Sequence, residues 1–125
     1  LVLENPNAHG WVTVGKNKKT VTAISVKKAI SKSPEKDHAI SAVFWFKHGR
    51  HFVQSAEQMI RSNDRVNGEF YVDQALSHAL SLGLNIEIFE IDKYLCWGTP
   101  KDYETYQKTI KYWQQFVKSE SWTNE

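Results

Sequence analysis

A chain of 125 residues is one domain's worth of sequence, and a globular chain of this size buries roughly two-thirds of the surface its unfolded form exposes, enough for one core. Hydrophobic residues at 41%, charged residues at 24% and a net charge of +2 sit near globular averages, and so small a charge gives no sequence-independent electrostatic handle, which argues against nucleic acid as a partner. A single cysteine, Cys96, excludes an internal disulfide, and no apolar run approaches the roughly 20 residues that cross a bilayer, so the chain is expected in the cytoplasm, with no membrane partner.

The opening Leu1-Val2-Leu3 is broken at once by Glu4, Asn5 and Pro6, unlike a secretory signal. The start at leucine and the early strand-like pattern read as a piece of a longer polypeptide. From Gly10 to Gly15, Trp11, Val12, Thr13 and Val14 are β-formers; Asn17 to Lys19 supply a polar turn, and a second β-rich run covers Thr20 to Val26. This predicts a hairpin, in which Lys16, Lys18, Lys19, Lys27 and Lys28 read as solvated turn lysines. Lys27 to Asp37 has loop composition, and Ala39 to Phe46 is apolar on both parities, which predicts a strand covered on both faces.

Helical spacing follows. Phe52, Val53, Ala56, Met59 and Ile60 form one stripe closed by Asn63-Asp64, and Val72, Ala75, Leu76, Ala79 and Leu80 form another that ends at Gly83. Leu84, Ile86 and Ile88 alternate with polar residues and predict a strand running on to Ile91. The last helix runs from about Pro100 to Val117, with Thr99 as cap, Asp102 near the positive end, and Tyr103, Tyr106, Ile110, Trp113 and Val117 as a buried stripe. The expectation is a single α/β domain over residues 1–118, a mixed sheet packed by helices in the order β-β-β-α-α-β-α, followed by a polar tail over 119–125 that Trp122 can anchor.

Among residues able to carry chemistry, Glu69 and Asp73 flank the start of the second helix. There they either complement the helix dipole or offer hard oxygen ligands to a divalent cation. Trp97-Gly98-Thr99-Pro100 reads as a turn into a capped helix, with the indole in the core or flooring a sugar pocket. His48 and His51 have metal-compatible spacing but no thiol or acidic partner nearby, and Cys96, between Leu95 and Trp97, reads as a buried inert thiol.

Taken together, Gly10-Trp11-Val12, Ser25-Val26-Lys27-Lys28, Val43 to Lys47, Asn67-Gly68-Glu69-Phe70-Tyr71-Val72-Asp73 and Phe89 to Pro100 resemble, in order and spacing, the second half of the sugar-1-phosphate nucleotidyltransferases. The likeness covers roughly residues 9 to 107 and leans toward the branch associated with bacterial capsular or lipopolysaccharide sugars. It implies the C-terminal half of a nucleotide-diphospho-sugar transferase-like fold, in a protein that joins a sugar 1-phosphate to a nucleoside triphosphate with Mg2+ and releases pyrophosphate. By position, Asp73 resembles a metal-binding aspartate, Lys27 the catalytic lysine that meets the sugar phosphate, and Gly10 a glycine lining the sugar pocket; Glu69, Trp97 and Gly98 complete its wall. A homodimer is a further partner expected of this portion.

Two positions depart from that pattern: Val26 stands where the family has a glutamate that accepts hydrogen bonds from sugar hydroxyls, and Ala42 stands where it has a glycine. The family's glycine-rich phosphate loop has no counterpart here, so this stretch alone is expected to be inactive. A carbohydrate-binding or regulatory module that has kept the fold, or a structural assembly domain, are the competing expectations.

Overall fold

The computed structural model describes residues 5–120, the side chains of 119 and 120 excepted. The signal-peptide reading of the first four residues and most of the polar tail, with Trp122, lie outside that range. The chain divides into two compact units, Leu1–Glu90 and Ile91–Glu125.

In the first unit β1 (Gly10–Val14) and β2 (Val21–Val26) form the expected hairpin, antiparallel from Gly10↔Val26 to Val14↔Val21. The turn closes on its own chemistry. Asn17 Oδ1 accepts from the backbone N–H groups of Lys19 at 3.1 Å and Thr20 at 3.0 Å, and Gly15 N–H donates to Thr20 O at 2.8 Å. Strand β3 (His38–Ala39) pairs antiparallel with the other edge of β1, giving the order β2-β1-β3. Central position explains why Trp11 on β1 is fully buried: sheet neighbours flank it on both sides, and its indole N–H donates to Pro6 O at 2.8 Å.

Two strand expectations need correction. Of the run from Ala39 to Phe46 only Ala39 is in β3; Val43 and Trp45 are each 82% exposed. An apolar run on both parities stays paired only where layers cover both faces, and among the described residues none covers both faces of this run. Likewise, the segment beginning at Leu84 makes a single antiparallel bridge, Thr20↔Glu87, through Val21 N–H to Ile86 O at 2.8 Å and Ile88 N–H to Lys19 O at 3.0 Å. Its faces follow the alternation, with Leu84, Ile86 and Ile88 half-buried and Asn85, Glu87 and Phe89 exposed. The sheet is therefore antiparallel throughout, with no parallel member among the described residues.

Helix α1 (Gly49–Arg61) packs on α2 (Val72–Ser81), and α2 packs on β2. Small residues make the close approach possible: Ala75 and Ala79 of α2 and Ser55 of α1 are buried beside Met59, whereas Val53 and Ile60 face solvent. The connection between the helices is tied by Asp64, whose Oδ2 accepts from Gln74 Nε2 at 2.7 Å and meets His78 Nε2 at 2.8 Å. Gly83 ends α2 with φ of 76°, as its position in the sequence predicts.

The second unit holds α3 (Pro100–Glu120), longer than expected. Thr99 caps the helix as expected, and Asp102 completes a reciprocal box, with Thr99 N–H donating to Asp102 Oδ2 at 3.0 Å and Asp102 N–H to Thr99 Oγ1 at 3.2 Å. The stripe read as buried is not: Tyr106 is half-buried, while Tyr103, Ile110, Trp113 and Val117 are exposed. Spacing of three and four marks a helix face but does not supply the surface that covers it. No helix among the described residues is long and apolar enough to cross a membrane.

Candidate functional site

The residues that converge do so on the first turn of chain entering β1. Pro6–Ala8 form a short 3-10 turn whose cap, Asn5, accepts from Asn7 N–H at 3.0 Å, and the Trp11 indole pins Pro6 from behind. This fixes the carbonyls of Ala8 and His9 and the buried Cα of Gly10 at one end of the sheet.

Any larger residue at Gly10 would have to push its neighbours aside. A Cβ at this position would overlap the Asp73 carboxylate oxygen Oδ2, and would lie 3.0 Å from Ile40 Cδ1 and 3.3 Å from Asp73 Cγ. The absent side chain lets a carboxylate from α2 lie directly on the backbone of the central strand. Asp73 is the second residue of α2. It thus occupies the positive end of that helix, as its dipole reading requires, and the edge of the site at once.

Lys27 reaches the same place from the other strand. Where β2 ends after Val26, Lys27 takes a left-handed φ of 55°, its N–H donates to His9 O at 2.9 Å, and Nζ donates to Ala8 O at 2.6 Å. A lysine gains nothing intrinsic from φ above zero, so the turn is held by these contacts. One of the three ammonium protons is spent on Ala8, which leaves two for an incoming acceptor.

Glu69 arrives through a tight hairpin. Asn67 and Gly68 have φ of 52° and 83°, and Val66 and Glu69 exchange backbone hydrogen bonds at 2.9 and 3.0 Å, a two-residue turn of the type that Asn-Gly favours. Arg65 braces it, with Nη1 donating to Gly68 O at 2.9 Å and its guanidinium 3.9 Å from the Phe70 ring centroid. Phe70 and Tyr71 alternate in direction. Tyr71 instead donates its hydroxyl to Glu69 Oε2 at 2.7 Å and lies under Lys27, whose Nζ is 5.5 Å from the ring centroid. The bond to Glu69 and the negative charges of Glu69 and Asp73 push the phenol above its ordinary value, so it stays a donor. Next to this group, burial and then the Lys27 ammonium hold the His9 imidazole below its ordinary value, favouring the neutral ring.

Gly10, Lys27, Glu69 and Asp73 are thus gathered at one end of the sheet. Tyr71 is the residue that sequence reading passed over, although the spacing Glu69, Tyr71, Asp73 carried the signal. Trp97 and Gly98 belong to the second unit. There the indole packs on Tyr106, ring centroids 5.2 Å apart, and edge-on to Tyr103 at 5.9 Å, and Gly98 lies beside Cys96. Cys96 is exposed rather than buried, and its Sγ lies 3.7 Å from Asp102 Oδ2, because the turn before α3 leaves one side open to solvent. His48 and His51 meet ring edge to ring face at 5.1 Å.

Among the described residues no three His, Cys, Asp or Glu side chains come together as a metal cage. Asp73 supplies a single carboxylate here; Mg2+ is commonly held by one or two carboxylates with waters and substrate phosphates supplying the rest. A shallow cleft of about 770 Å³ elsewhere, lined by Gln54, Arg61, Ser62 and Leu84 among others, carries an Arg61–Glu57 pair already satisfied at 2.9 Å and offers no comparable chemistry. Compared with known proteins, the chain matches no family model, no curated protein sequence and no solved structure.

Proposed function

We propose that this chain is the sugar-phosphate-handling half of a sugar-1-phosphate nucleotidyltransferase that works in the cytoplasm on precursors of bacterial capsule or lipopolysaccharide, with the transferase-like fold completed by a nucleotide-binding half. The observation that carries the reading is that Asp73 and Lys27 both lie against the chain entering β1, the first on Gly10 and the second on Ala8. In this reading the Lys27 ammonium leaves the Ala8 carbonyl for the dianionic phosphate and stabilises its charge, and the free oxygen of Glu69 accepts a sugar hydroxyl. The Gly10 backbone forms part of the pocket floor. Asp73 contributes the chain's carboxylate to Mg2+, which when bound offsets charge on the phosphates. Sugar 1-phosphate and nucleoside triphosphate are the partners, with a homodimer as the assembly.

The test is calorimetric titration of glucose 1-phosphate into the 125-residue chain with and without Mg2+, alongside a pyrophosphate-release assay. Saturable binding that Mg2+ strengthens and Lys27→Met abolishes, without turnover, is the expected result. Absence of binding overturns the reading, and clear pyrophosphate release by this chain overturns its dependence on a second half.

A second reading, a carbohydrate-binding or regulatory module without chemistry, draws on two observations. Val26, in place of the family's glutamate, is buried at 7% exposure opposite Gly10, so that position offers a ligand no acceptor. Ala42 keeps a left-handed φ of 62° that suits the glycine it replaces. Sugar binding that ignores Mg2+ and tolerates loss of the phosphate favours this alternative.

A further inference from the structure

The Tyr71 side chain touches both charged groups that a sugar phosphate would meet. Its backbone is fixed first: Tyr71 caps α2 with φ −108° and ψ 144°, and its carbonyl accepts from Gln74 N–H at 3.1 Å and Ala75 N–H at 3.3 Å. Because the chain is extended here, Glu69 and Tyr71 share one side while Phe70 turns to the Arg65 guanidinium. The aromatic ring is then held with its edge at Glu69 and its face toward Lys27.

We propose that Tyr71 is the positioning and specificity-determining residue of this site, one side chain that sets Glu69 to accept a polyol hydroxyl and Lys27 to meet a phosphate monoester. The inference rests on the sugar-phosphate reading above and deepens it by assigning discrimination between a sugar phosphate and phosphate itself to a single phenol. Each half has a separate physical basis. The hydroxyl donates to Oε2 and so leaves Oε1 of Glu69 as the acceptor that faces a ligand; a free glutamate would sample many rotamers and lose entropy on binding. The ring face attracts the ammonium without using one of its protons, which keeps the long lysine stem in place when Nζ gives up Ala8.

The two halves come apart by mutation. Tyr71→Phe keeps the ring under Lys27 and frees Glu69, whereas Tyr71→Leu releases both. The experiment is titration of glucose 1-phosphate and, separately, inorganic phosphate into the wild-type chain, the two variants and Lys27→Met, followed by backbone amide NMR shifts, whose dispersion also reports that each variant is folded. Tyr71→Phe is expected to weaken glucose 1-phosphate by about tenfold and leave phosphate unchanged, as loss of a hydrogen bond to a charged group predicts. Tyr71→Leu is expected to weaken both. If Lys27→Met abolishes binding while both Tyr71 variants bind like wild type, the sugar-phosphate reading stands and the assignment of Tyr71 falls. Equal weakening of both probes by Tyr71→Phe marks a merely structural role and also overturns it. Should wild type bind neither probe, the sugar-phosphate reading fails and this inference fails with it.

Discussion

Replacing Gly10 with alanine tests the contact on which the site is built. The new methyl would stand inside the van der Waals radius of Asp73 Oδ2, 3.3 Å from Asp73 Cγ and 3.0 Å from Ile40 Cδ1, in the buried central strand. Overpacking of a close-packed site costs about 1–3 kcal/mol, but both obstacles are side-chain ends that can turn aside at about 0.5–1.5 kcal/mol, so Gly10→Ala should lose about 1–2 kcal/mol. With an m-value of about 2 kcal/mol per molar urea, the unfolding midpoint should fall by about 0.5–1 M. Asp73→Ala alone removes a carboxylate from the start of α2 and should cost about 0.5 kcal/mol. In the double variant the methyl no longer meets the carboxylate, so the losses should fall short of their sum by about 1 kcal/mol. Urea unfolding of the four proteins closes the cycle. Additivity within about 0.3 kcal/mol would refute the claim that Gly10 exists to admit Asp73.

Other consequences are as direct. Lys27→Met removes the ammonium that helps hold His9 below 6.5, so the His9 ring resonances should titrate at a higher pH than in the wild type; an unmoved midpoint would separate Lys27 from the site. The sign for stability follows: a base with a lowered folded value binds fewer protons folded than unfolded, so the fold loses stability as pH falls below about 6.5, and less so in Lys27→Met. Ala42→Gly relieves a left-handed alanine at φ 62° and should raise the urea midpoint by an amount worth about 0.5–1 kcal/mol, while a lower midpoint would mean that position 42 is not strained. Bonds from Gln74 and His78 hold the Asp64 carboxyl below its ordinary 3.8; the stability it contributes is present above about pH 4 and lost as pH falls through the folded value, so Asp64→Asn should flatten the acid limb of a stability–pH curve.

Local chemistry made the hairpin, both packed helices and the α3 cap readable, because each depends on residues a few positions apart: Asn17 in its turn, Gly83 at φ 76°, Thr99 with Asp102. What failed depends on distant surfaces. Ala39 to Phe46 is apolar enough for a buried strand, yet Trp45 is exposed, and the α3 stripe has the right period while Tyr103, Ile110, Trp113 and Val117 are exposed. At the site, the helix-start pattern picked out Glu69 and Asp73 and resemblance added Gly10 and Lys27, which no spacing rule brings beside them since they lie on separate parts of the chain. The Asn67-Gly68 turn was readable and passed over, being absorbed into the start of α2. The left-handed Lys27 was not readable at all, since lysine carries no preference for it.

The charges gathered at this end of the sheet bear on which reading survives. Lys27 supplies one positive charge and the α2 N-terminus about half of another, against the two carboxylates of Asp73 and Glu69. So balanced a site repels a dianionic phosphate about as much as it attracts one, unless a further cation offsets Asp73. A neutral sugar feels no such conflict and needs only the hydrogen bonds of Glu69 and the backbone. A requirement for Mg2+ is therefore what the proposed phosphate-handling role predicts, arising from the carboxylate that Gly10 admits, whereas in a site for sugar alone Asp73 serves only the positive end of α2.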